Sequence, residues 1–284
     1  MKIETIPIRL TREQTGREIY GEGAVLTCFL KDNTEGRPEA RRPAVVICPG
    51  GCYEFCSTRE AEPVAFQFLA MDCQAFVLNY STAPNSFPTA LMELASAVSM
   101  IKKHGREWHI DEERVLLCGF SAGGHLAASL GVFWNREFLL KPLGFEGEDI
   151  RPDGLILAYP VISSGSCGHE ASFINLLGEK PSVSREFCSL ENQAGSQVPP
   201  VFMWHTDTDQ TVPVENSLLF ALALKKAGVS LEYHIFPEGR HGLSLANEET
   251  AKDEDDNRGT YVVLCAQVWT ELVKAWLKRR ILCS

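Results

Sequence analysis

The chain has 284 residues, of which 45% are hydrophobic and 23% charged, and its formal net charge is −10. This composition is that of an ordinary globular protein and excludes a disordered one. The acidic balance argues against a nucleic-acid partner, because affinity for a phosphate backbone depends on clustered Lys and Arg.

The chain shows no basic stretch followed by an apolar h-region, and no apolar run approaches the roughly 20 residues that span a bilayer. We therefore expect no membrane partner and a cytoplasmic location. Most of the ten cysteines lie within apolar runs, as do Cys28, Cys48, Cys118 and Cys265, and are interpreted as buried thiols. Cys52 and Cys56 have a spacing that could bind metal, but no second pair accompanies them, so no metal site is expected.

Seven β-rich apolar runs alternate with helical patterns along most of the chain. Residues 1–22 are expected to form an N-terminal edge. The predicted strands are 23–30, 44–50, 74–80, 114–120, 154–160, 199–206 and 231–236, and the predicted helices are 60–71, 89–104, 122–134, 214–227 and 261–281. This alternation predicts a single α/β domain over 1–284, whose mostly parallel sheet of about eight strands is covered by helices on both faces.

Three segments lack periodicity. Residues 31–42 are interpreted as a solvated hairpin turn, because charge, Gly and Pro dominate there. Residues 162–198 lie between two predicted strands, where an α/β sheet often carries an insertion over its ligand crevice, and are predicted to form a small cap or lid. The acidic run 246–259 does not match a calcium-binding loop and is predicted to be a solvated loop.

One serine, Ser121, stands between glycines in "LCGFSAGGHL" (117–126), directly after a predicted strand and before a predicted helix. This is the G-x-S-x-G pattern in the strand–turn–helix setting that exposes a serine nucleophile. The pattern also occurs by chance in tight turns. A nucleophilic serine needs a histidine base and usually a carboxylate that orients it.

The best candidate for the base among the seven histidines is His241, in a Gly-flanked loop after the last predicted strand. His205 and His234 lie within strand runs and are interpreted as structural. His125 begins the helix after the serine and is expected to pack there. The other histidines, His104, His109 and His169, are interpreted as surface or loop residues.

Two aspartates, Asp207 and Asp209, follow the predicted strand 199–206. Asp209 is the preferred carboxylate, because Pro213 fits the first position of the next helix and places Asp209 in the preceding loop. Asp207 could instead form an Asx turn. The order Ser121, Asp209, His241 is that of α/β-hydrolases.

Ester chemistry also needs backbone N–H groups that stabilise an oxyanion. The segment "CPGGCY" (48–53) ends the predicted strand 44–50 with two glycines. It could supply such amides beside that of Ala122.

With these motifs in order, the chain resembles α/β-hydrolases of the bacterial esterase/lipase group, specifically acetyl-xylan-esterase-like hydrolases. The resemblance covers roughly residues 20 to 282. It rests on "VVICPGGCYEF", "VLNYSTAP", "WHIDEERVLLCGFSAGGHLAA", "PPVFMWHTDTDQTVPVENSLLFALALKKAGV" and "FPEGRHGLSLA".

The resemblance implies Ser121 as nucleophile, Asp209 as orienter and His241 as base, with oxyanion amides from Ala122 and from Gly51 or Cys52. Cys52 stands where a third glycine is usual in that family. Tyr80 would be structural. Tyr53 and Glu54, beside the oxyanion loop, could line the pocket or be solvent-exposed.

The expected activity is that of a serine carboxylesterase without metal or cofactor. Its expected partner is a small ester, with acetyl groups on xylo-oligosaccharides or other sugars as candidate substrates; a homo-oligomer is left open. One alternative is a serine peptidase resembling the prolyl oligopeptidase group, which uses the same triad order on the same fold. Another is a non-catalytic binding protein of hydrolase fold.

Overall fold

A computed structural model describes residues 1–253 and 258–280. Over these residues the chain forms one sheet of eight strands in the order β1-β2-β4-β3-β5-β6-β7-β8. The strands are β1 Lys2–Ile8, β2 Ala24–Leu30, β3 Arg42–Cys48, β4 Gln74–Asn79, β5 Ile110–Phe120, β6 Gly154–Ala158, β7 Val201–Thr206 and β8 Leu231–Phe236. Pairing is antiparallel in β1–β2 and β2–β4 and parallel from β4 onward.

Helices cover both faces of this sheet. They are α1 Arg12–Thr15, α2 Glu62–Ala70, α3 Thr89–Lys103, α4 Ala122–Phe133, α5 Glu137–Leu143, α6 Gly147–Ile150, α7 Glu170–Leu177, α8 Glu215–Lys226, α9 Arg258–Tyr261, α10 Leu264–Gln267 and α11 Trp269–Arg280. Apolar side chains of α3, α4 and α8 form the core on one face, and those of α2 and α11 form the core on the other. Because both faces are covered, the central strands are buried along their length, which explains their continuous apolar sequences.

The predicted α/β architecture is confirmed, and each predicted strand corresponds to one of β2 to β8. The N-terminal edge is also formed, since β1 pairs with β2 at the end of the sheet. The hairpin interpretation of residues 31–42 is wrong. β2 pairs with β4, so 31–42 is a crossover to β3 rather than a turn between neighbours.

The predicted helix 261–281 is not continuous. The chain forms the short helix α10 and then α11, with Val268 between them. Tyr261, Val263 and Ala266 are buried and supply the apolar periodicity, although they lie in different short elements. Residue 281 and residues 254–257 of the acidic run lie outside the described residues.

The cysteine prediction is correct in part. Cys28, Cys48 and Cys118 are buried, whereas Cys265 is partly exposed. Burial raises the pKa of the Cys28 thiol to about 12, so it is a neutral packing group near pH 7. In the part of the chain that the structure describes, no helix is long and apolar enough to cross a membrane.

The segment 162–198 lies between β6 and β7 and contains α7 and two 3-10 turns, Arg185–Cys188 and Leu190–Asn192. Side chains of the core helices hold it at two places. Asn216 of α8 accepts from the Ile162 and Ser163 amides at 3.0 Å each through its Oδ1 and donates to the Cys167 carbonyl at 2.7 Å. Farther along the segment, the His125 imidazole of α4 lies 2.8 Å from the Cys188 carbonyl oxygen. Its role as a cap stays a prediction.

A buried carboxyl, Glu93 of α3, fixes the chain after β4. It is 1% exposed and accepts from the Ser81 amide at 2.7 Å and the Ser81 hydroxyl at 2.5 Å. Burial raises the pKa of Glu93 to about 7 from its ordinary 4.5, although the bonds from Ser81 act in the opposite direction.

Because the folded pKa of Glu93 lies above the unfolded one, its stabilising contribution is complete below pH 4.5 and is lost as the pH rises through about 7. We expect Glu93→Gln to remove this loss, which amounts to something on the order of 3 kcal/mol. Urea unfolding of both proteins between pH 4 and 8 measures it. Glu107→Gln, at an exposed position, is the control. An equal pH slope in wild type and Glu93→Gln would contradict the prediction.

Candidate active site

Ser121 sits in a sharp turn between the end of β5 and the start of α4. Its backbone has φ 52° and ψ −118°, a conformation that side-chain-bearing residues rarely adopt. The turn fits because of the glycines on either side. A Cβ on Gly119 would overlap the Gly123 carbonyl, and a Cβ on Gly123 would overlap the carbonyl oxygens of Cys48 and Pro49. The G-x-S-x-G spacing is therefore a packing requirement of this turn.

The structure brings Ser121, His241 and Asp209 together at the carboxyl edge of the parallel strands. The His241 Nε2 lies 2.8 Å from Ser121 Oγ, and its Nδ1 lies 2.6 Å from Asp209 Oδ2. The Asp209 contact assigns the ring hydrogen to Nδ1, which leaves Nε2 free to accept the serine proton. The three residues predicted as nucleophile, base and orienter are thus joined by direct hydrogen-bond distances, as that chemistry requires.

The Asp209 carboxylate is buried and fully partnered. Burial alone would raise its pKa, but hydrogen bonds from His205 and His241 outweigh that effect and lower it. Its Oδ1 also accepts from the Thr211 and Val212 amides at 2.9 and 3.0 Å. Asp209 therefore stays ionised at neutral pH and can stabilise a protonated His241.

The second candidate aspartate, Asp207, is exposed at the end of β7. Neither a hydrogen bond nor an ion pair joins Asp207 to His241, whose partners are Asp209 and Ser121. His205, expected to be structural, is buried behind Asp209. Its Nδ1 accepts from the Ser217 hydroxyl at 2.7 Å, and its Nε2 donates to the Val212 carbonyl at 2.9 Å and lies 3.4 Å from Asp209 Oδ2. His205 thus supports the carboxylate from the side opposite His241.

The oxyanion loop, residues 49–55, follows β3 and lies against Ser121. Gly51, Cys52 and Tyr53 all have positive φ, at 131°, 58° and 57°. Such backbone favours glycine, which explains why a third glycine is usual at the Cys52 position. Within residues 1–253 and 258–280, the amides of Gly51, Cys52 and Ala122 donate to no acceptor. All three predicted amides therefore have no competing acceptor among the described residues, which the oxyanion role requires.

A second buried carboxylate, Glu60, holds this loop in place and was missed in the sequence. It is 3% exposed, and its Oε2 accepts from the Gly50 amide at 2.8 Å. A Cβ on Gly50 would come within 2.7 Å of this oxygen and 3.0 Å of the Ser121 Cβ. From the other side, the Tyr80 hydroxyl donates to the Pro49 carbonyl at 2.7 Å, in line with its structural assignment.

Glu60 also connects the oxyanion loop to the loop that carries His241, the candidate base. The Tyr159 hydroxyl donates to Glu60 Oε1 at 2.7 Å and accepts from the Ser244 amide at 2.8 Å. The Tyr159 ring packs edge-on against His241, with centroids 5.0 Å apart. A single buried network therefore fixes oxyanion loop and base together. In the sequence, Glu60 could have been noticed only because it follows the "GGCYEFC" segment closely, and the sequence does not show that it is buried.

The remaining histidines differ in their settings. His125 is buried, and burial lowers its pKa to about 4; its Nδ1 lies 2.9 Å from the Tyr53 hydroxyl. Tyr53 is therefore a core residue, whereas Glu54 is exposed. His234 lies on the edge strand β8, and its Nε2 is 3.1 Å from the carboxylate of the partly exposed Glu232.

His169, interpreted as a surface or loop residue, lies in the loop before α7, is only partly exposed and lies near the triad. Its Nδ1 is 2.9 Å from the Ser172 hydroxyl of α7. Burial lowers its pKa first, and the charge of His241 lowers it further. Its position at the start of α7 places it beside the site, which its sequence context did not indicate.

The Cys52 thiol lies in the oxyanion loop close to Ser121, but its pKa is raised. Burial raises its pKa despite a hydrogen bond with Ser172, so the thiol stays protonated near neutral pH. Among the described residues there is also no cluster of three or more His, Cys, Asp or Glu that could hold a metal ion.

A strained serine elbow, a triad in the order Ser-Asp-His and free amides on the opposing loop define an α/β-hydrolase. The BD-FAE family model matches residues 33–224 of the chain. The chain belongs to the BD-FAE family, and the resemblance to the esterase/lipase group is confirmed.

Two relatives are similar to this chain over about three quarters of its length. The chain is 39% identical over 218 residues to endo-1,4-beta-xylanase B of Butyrivibrio fibrisolvens, covering 74% of this chain and 34% of that protein. It is 28% identical over 229 residues to the acetylxylan esterase of Xylanibacter ruminicola, covering 78% of this chain and 44% of that protein. It thus spans less than half the length of these two relatives.

Among solved structures, the acetyl ester-xyloside bifunctional hydrolase of Caldicellulosiruptor lactoaceticus superimposes with a TM-score of 0.79 and 34% identity. That match covers 97% of this chain and 96% of the other. The α/β-hydrolase fold is therefore shared over nearly the whole length of both chains.

The contacts of the two aspartates predict unequal effects on serine reactivity. Asp209→Asn should slow fluorophosphonate labelling of Ser121 by roughly 10³–10⁴-fold, because the amide favours the wrong tautomer of His241. Asp207→Asn, the matched control, should change the rate less than about twofold, as expected for an exposed surface group. Second-order labelling rates from intact-protein mass spectrometry provide the measurement. A greater loss in Asp207→Asn would overturn the assignment of the orienter.

The Glu60 network predicts a rate effect without a comparable loss of fold. Glu60→Gln leaves an acceptor for the Gly50 amide but no acceptor for the Tyr159 hydroxyl, so labelling should slow by about 10–100-fold. Tyr159→Phe breaks the same network, because it removes the hydroxyl that donates to Glu60 and accepts from the Ser244 amide. Glu93→Gln replaces a buried glutamate whose carboxyl bonds Ser81 rather than the oxyanion loop, and it should leave the rate close to wild type. Equal losses in Glu60→Gln and Glu93→Gln would reduce Glu60 to a general stability role.

Proposed function

We propose that the protein is a serine esterase that hydrolyses short-chain acyl esters through a covalent acyl-enzyme. The observation that carries this proposal is the continuous set of contacts from Ser121 Oγ through His241 to Asp209. It is supported by the unpaired amides of the facing loop. Together they offer a nucleophile, a base and oxyanion donors around one point.

In the acylation step, His241 Nε2 accepts the Ser121 proton while Oγ attacks the ester carbonyl carbon. The negative charge that develops on the carbonyl oxygen is stabilised by the Ala122 amide and by that of Gly51 or Cys52. The tetrahedral intermediate collapses, the bond to the alcohol oxygen breaks, and the alcohol takes the proton from His241. Asp209 stabilises the imidazolium during this step.

In the deacylation step, water replaces the alcohol. His241 accepts a proton from water, and the hydroxide attacks the acyl carbon to form a second tetrahedral intermediate. This intermediate expels Ser121 Oγ, which recovers a proton from His241. The products are one carboxylic acid and the free enzyme, so no cofactor takes part.

Acetyl groups on xylo-oligosaccharides or other sugars are the proposed natural substrates. The names of the relatives support this choice, because they include an acetylxylan esterase, a xylanase and an acetyl ester-xyloside hydrolase. The triad itself does not select the acyl group. The substrate class therefore depends on the surfaces around the triad.

Ser121→Ala should abolish hydrolysis of p-nitrophenyl acetate, with a loss of roughly 10⁴–10⁶-fold in kcat, because the acyl-enzyme cannot form. Fluorophosphonate labelling should disappear with it. Ser96→Ala, a partly buried serine of α3 that donates to the Met92 carbonyl, is the matched control.

Substrate comparison separates the proposal from its competitors. We expect p-nitrophenyl acetate to exceed longer-chain esters and an aminoacyl p-nitroanilide in kcat/KM. Faster turnover of the anilide would indicate a peptidase. No turnover of any substrate, without labelling of Ser121, would contradict the esterase proposal and favour a binding protein.

A further inference from the structure

A cavity of about 570 Å³ lies beside the candidate active site, and none of the triad residues lines it. Three chain segments form its walls. They are residues 17–20 before β2, residues 83–86 before α3, and residues 174–180 at the end of α7. This volume is within the range of ordinary small-ligand pockets.

Two walls of the cavity are bonded directly to the oxyanion loop. The Asn175 side chain, which lines the cavity, donates to the Cys52 carbonyl at 2.9 Å. The Ala83 amide donates to the Tyr53 carbonyl at 2.8 Å. A ligand in the cavity would therefore lie against walls that are bonded to the oxyanion loop.

The walls are held together by specific bonds, so the cavity is preformed. The buried Asn85 side chain accepts from the Tyr20 amide at 2.9 Å and donates to the Tyr20 carbonyl at 3.0 Å. The Arg17 guanidinium donates to the Lys180 carbonyl at 2.5 Å. These contacts fix the N-terminal segment against both other walls, which reduces the ordering cost of binding.

The lining combines apolar faces with balanced charge. Tyr20 and Ile174 are 51% and 59% exposed, and the Tyr20 hydroxyl has no hydrogen-bond partner in the ranges that the structure describes. The formal charges of Arg17 and Lys180 are offset by those of Glu18 and Glu179. A neutral, amphipathic ligand with many hydroxyl groups suits such a surface better than an anion or an alkyl chain.

We propose that this cavity is a subsite for the glycosyl units that flank the acetylated sugar of an oligosaccharide substrate. A sugar ring offers a C–H face to the Tyr20 ring and a hydroxyl rim to the surrounding polar groups, as amphipathic aromatic side chains favour. The inference rests on the proposed esterase function, since it assigns the alcohol portion of the ester to this cavity.

The kinetic test compares acetylated xylo-oligosaccharides of two to five units with p-nitrophenyl acetate. In wild type, kcat/KM should rise with chain length. Tyr20→Ala should lower kcat/KM for the longest oligosaccharide about 5–10-fold more than for p-nitrophenyl acetate, with the effect in KM. Tyr20→Phe, which keeps the ring, should restore most of the loss. Leu222→Ala is the matched surface control, because Leu222 of α8 is 54% exposed.

A binding test that does not need turnover uses the Ser121→Ala protein and unmodified xylotetraose in isothermal titration calorimetry. Binding that weakens on adding Tyr20→Ala supports the subsite. Equal losses on both substrates in Tyr20→Ala, no dependence on chain length, or a selective loss for p-nitrophenyl octanoate would overturn it. Failure of the esterase proposal is distinct, because it would appear as no turnover of p-nitrophenyl acetate by wild type.

Discussion

The close approach of three backbone segments around Ser121 is the constraint on which the site depends. The β5–α4 turn, the end of β3 and the oxyanion loop meet at distances that admit no side chain at Gly50, Gly119 or Gly123. Because the turn is held at positive φ, the hydroxyl projects above the sheet edge toward His241. The strain is maintained by the surrounding packing, as is usual where unfavourable backbone is kept for chemistry.

Two buried carboxylates at the candidate site are stabilised by different means. Asp209 accepts from two histidines and two amides, so its negative charge is stabilised next to the His241 ring. Glu60 accepts from one amide and one tyrosine hydroxyl and contacts no reacting group. Buried charge is costly without such partners. The first carboxylate therefore acts on the electrostatics of the base, whereas the second acts on the geometry of the loops.

Local pattern in the sequence predicts the strands, the order of the triad and the oxyanion loop, because each depends on residues close together in the chain or on strand ends. It does not predict that 31–42 crosses over to β3, since loop composition carries no information about which strands pair. It also misses the burial of Glu60 among distant segments. Asp209 is preferred over Asp207 in the sequence because Pro213 is expected at the first position of the next helix. That expectation is wrong, since α8 begins at Glu215 with Val214 as its N-cap, although only Asp209 lies at His241.

The attachment of segment 162–198 decides which part of it can be replaced. Asn216 holds its beginning and His125 holds it again at Cys188, and both side chains come from helices that belong to the core. The chain between these two anchors, including α7, contributes a cavity wall but no strand of the sheet. Asn175 of α7 also donates to the Cys52 carbonyl, so α7 supports the oxyanion loop as well. For engineering, a loop grafted between the two anchors would have to keep this bond to leave the oxyanion loop in place.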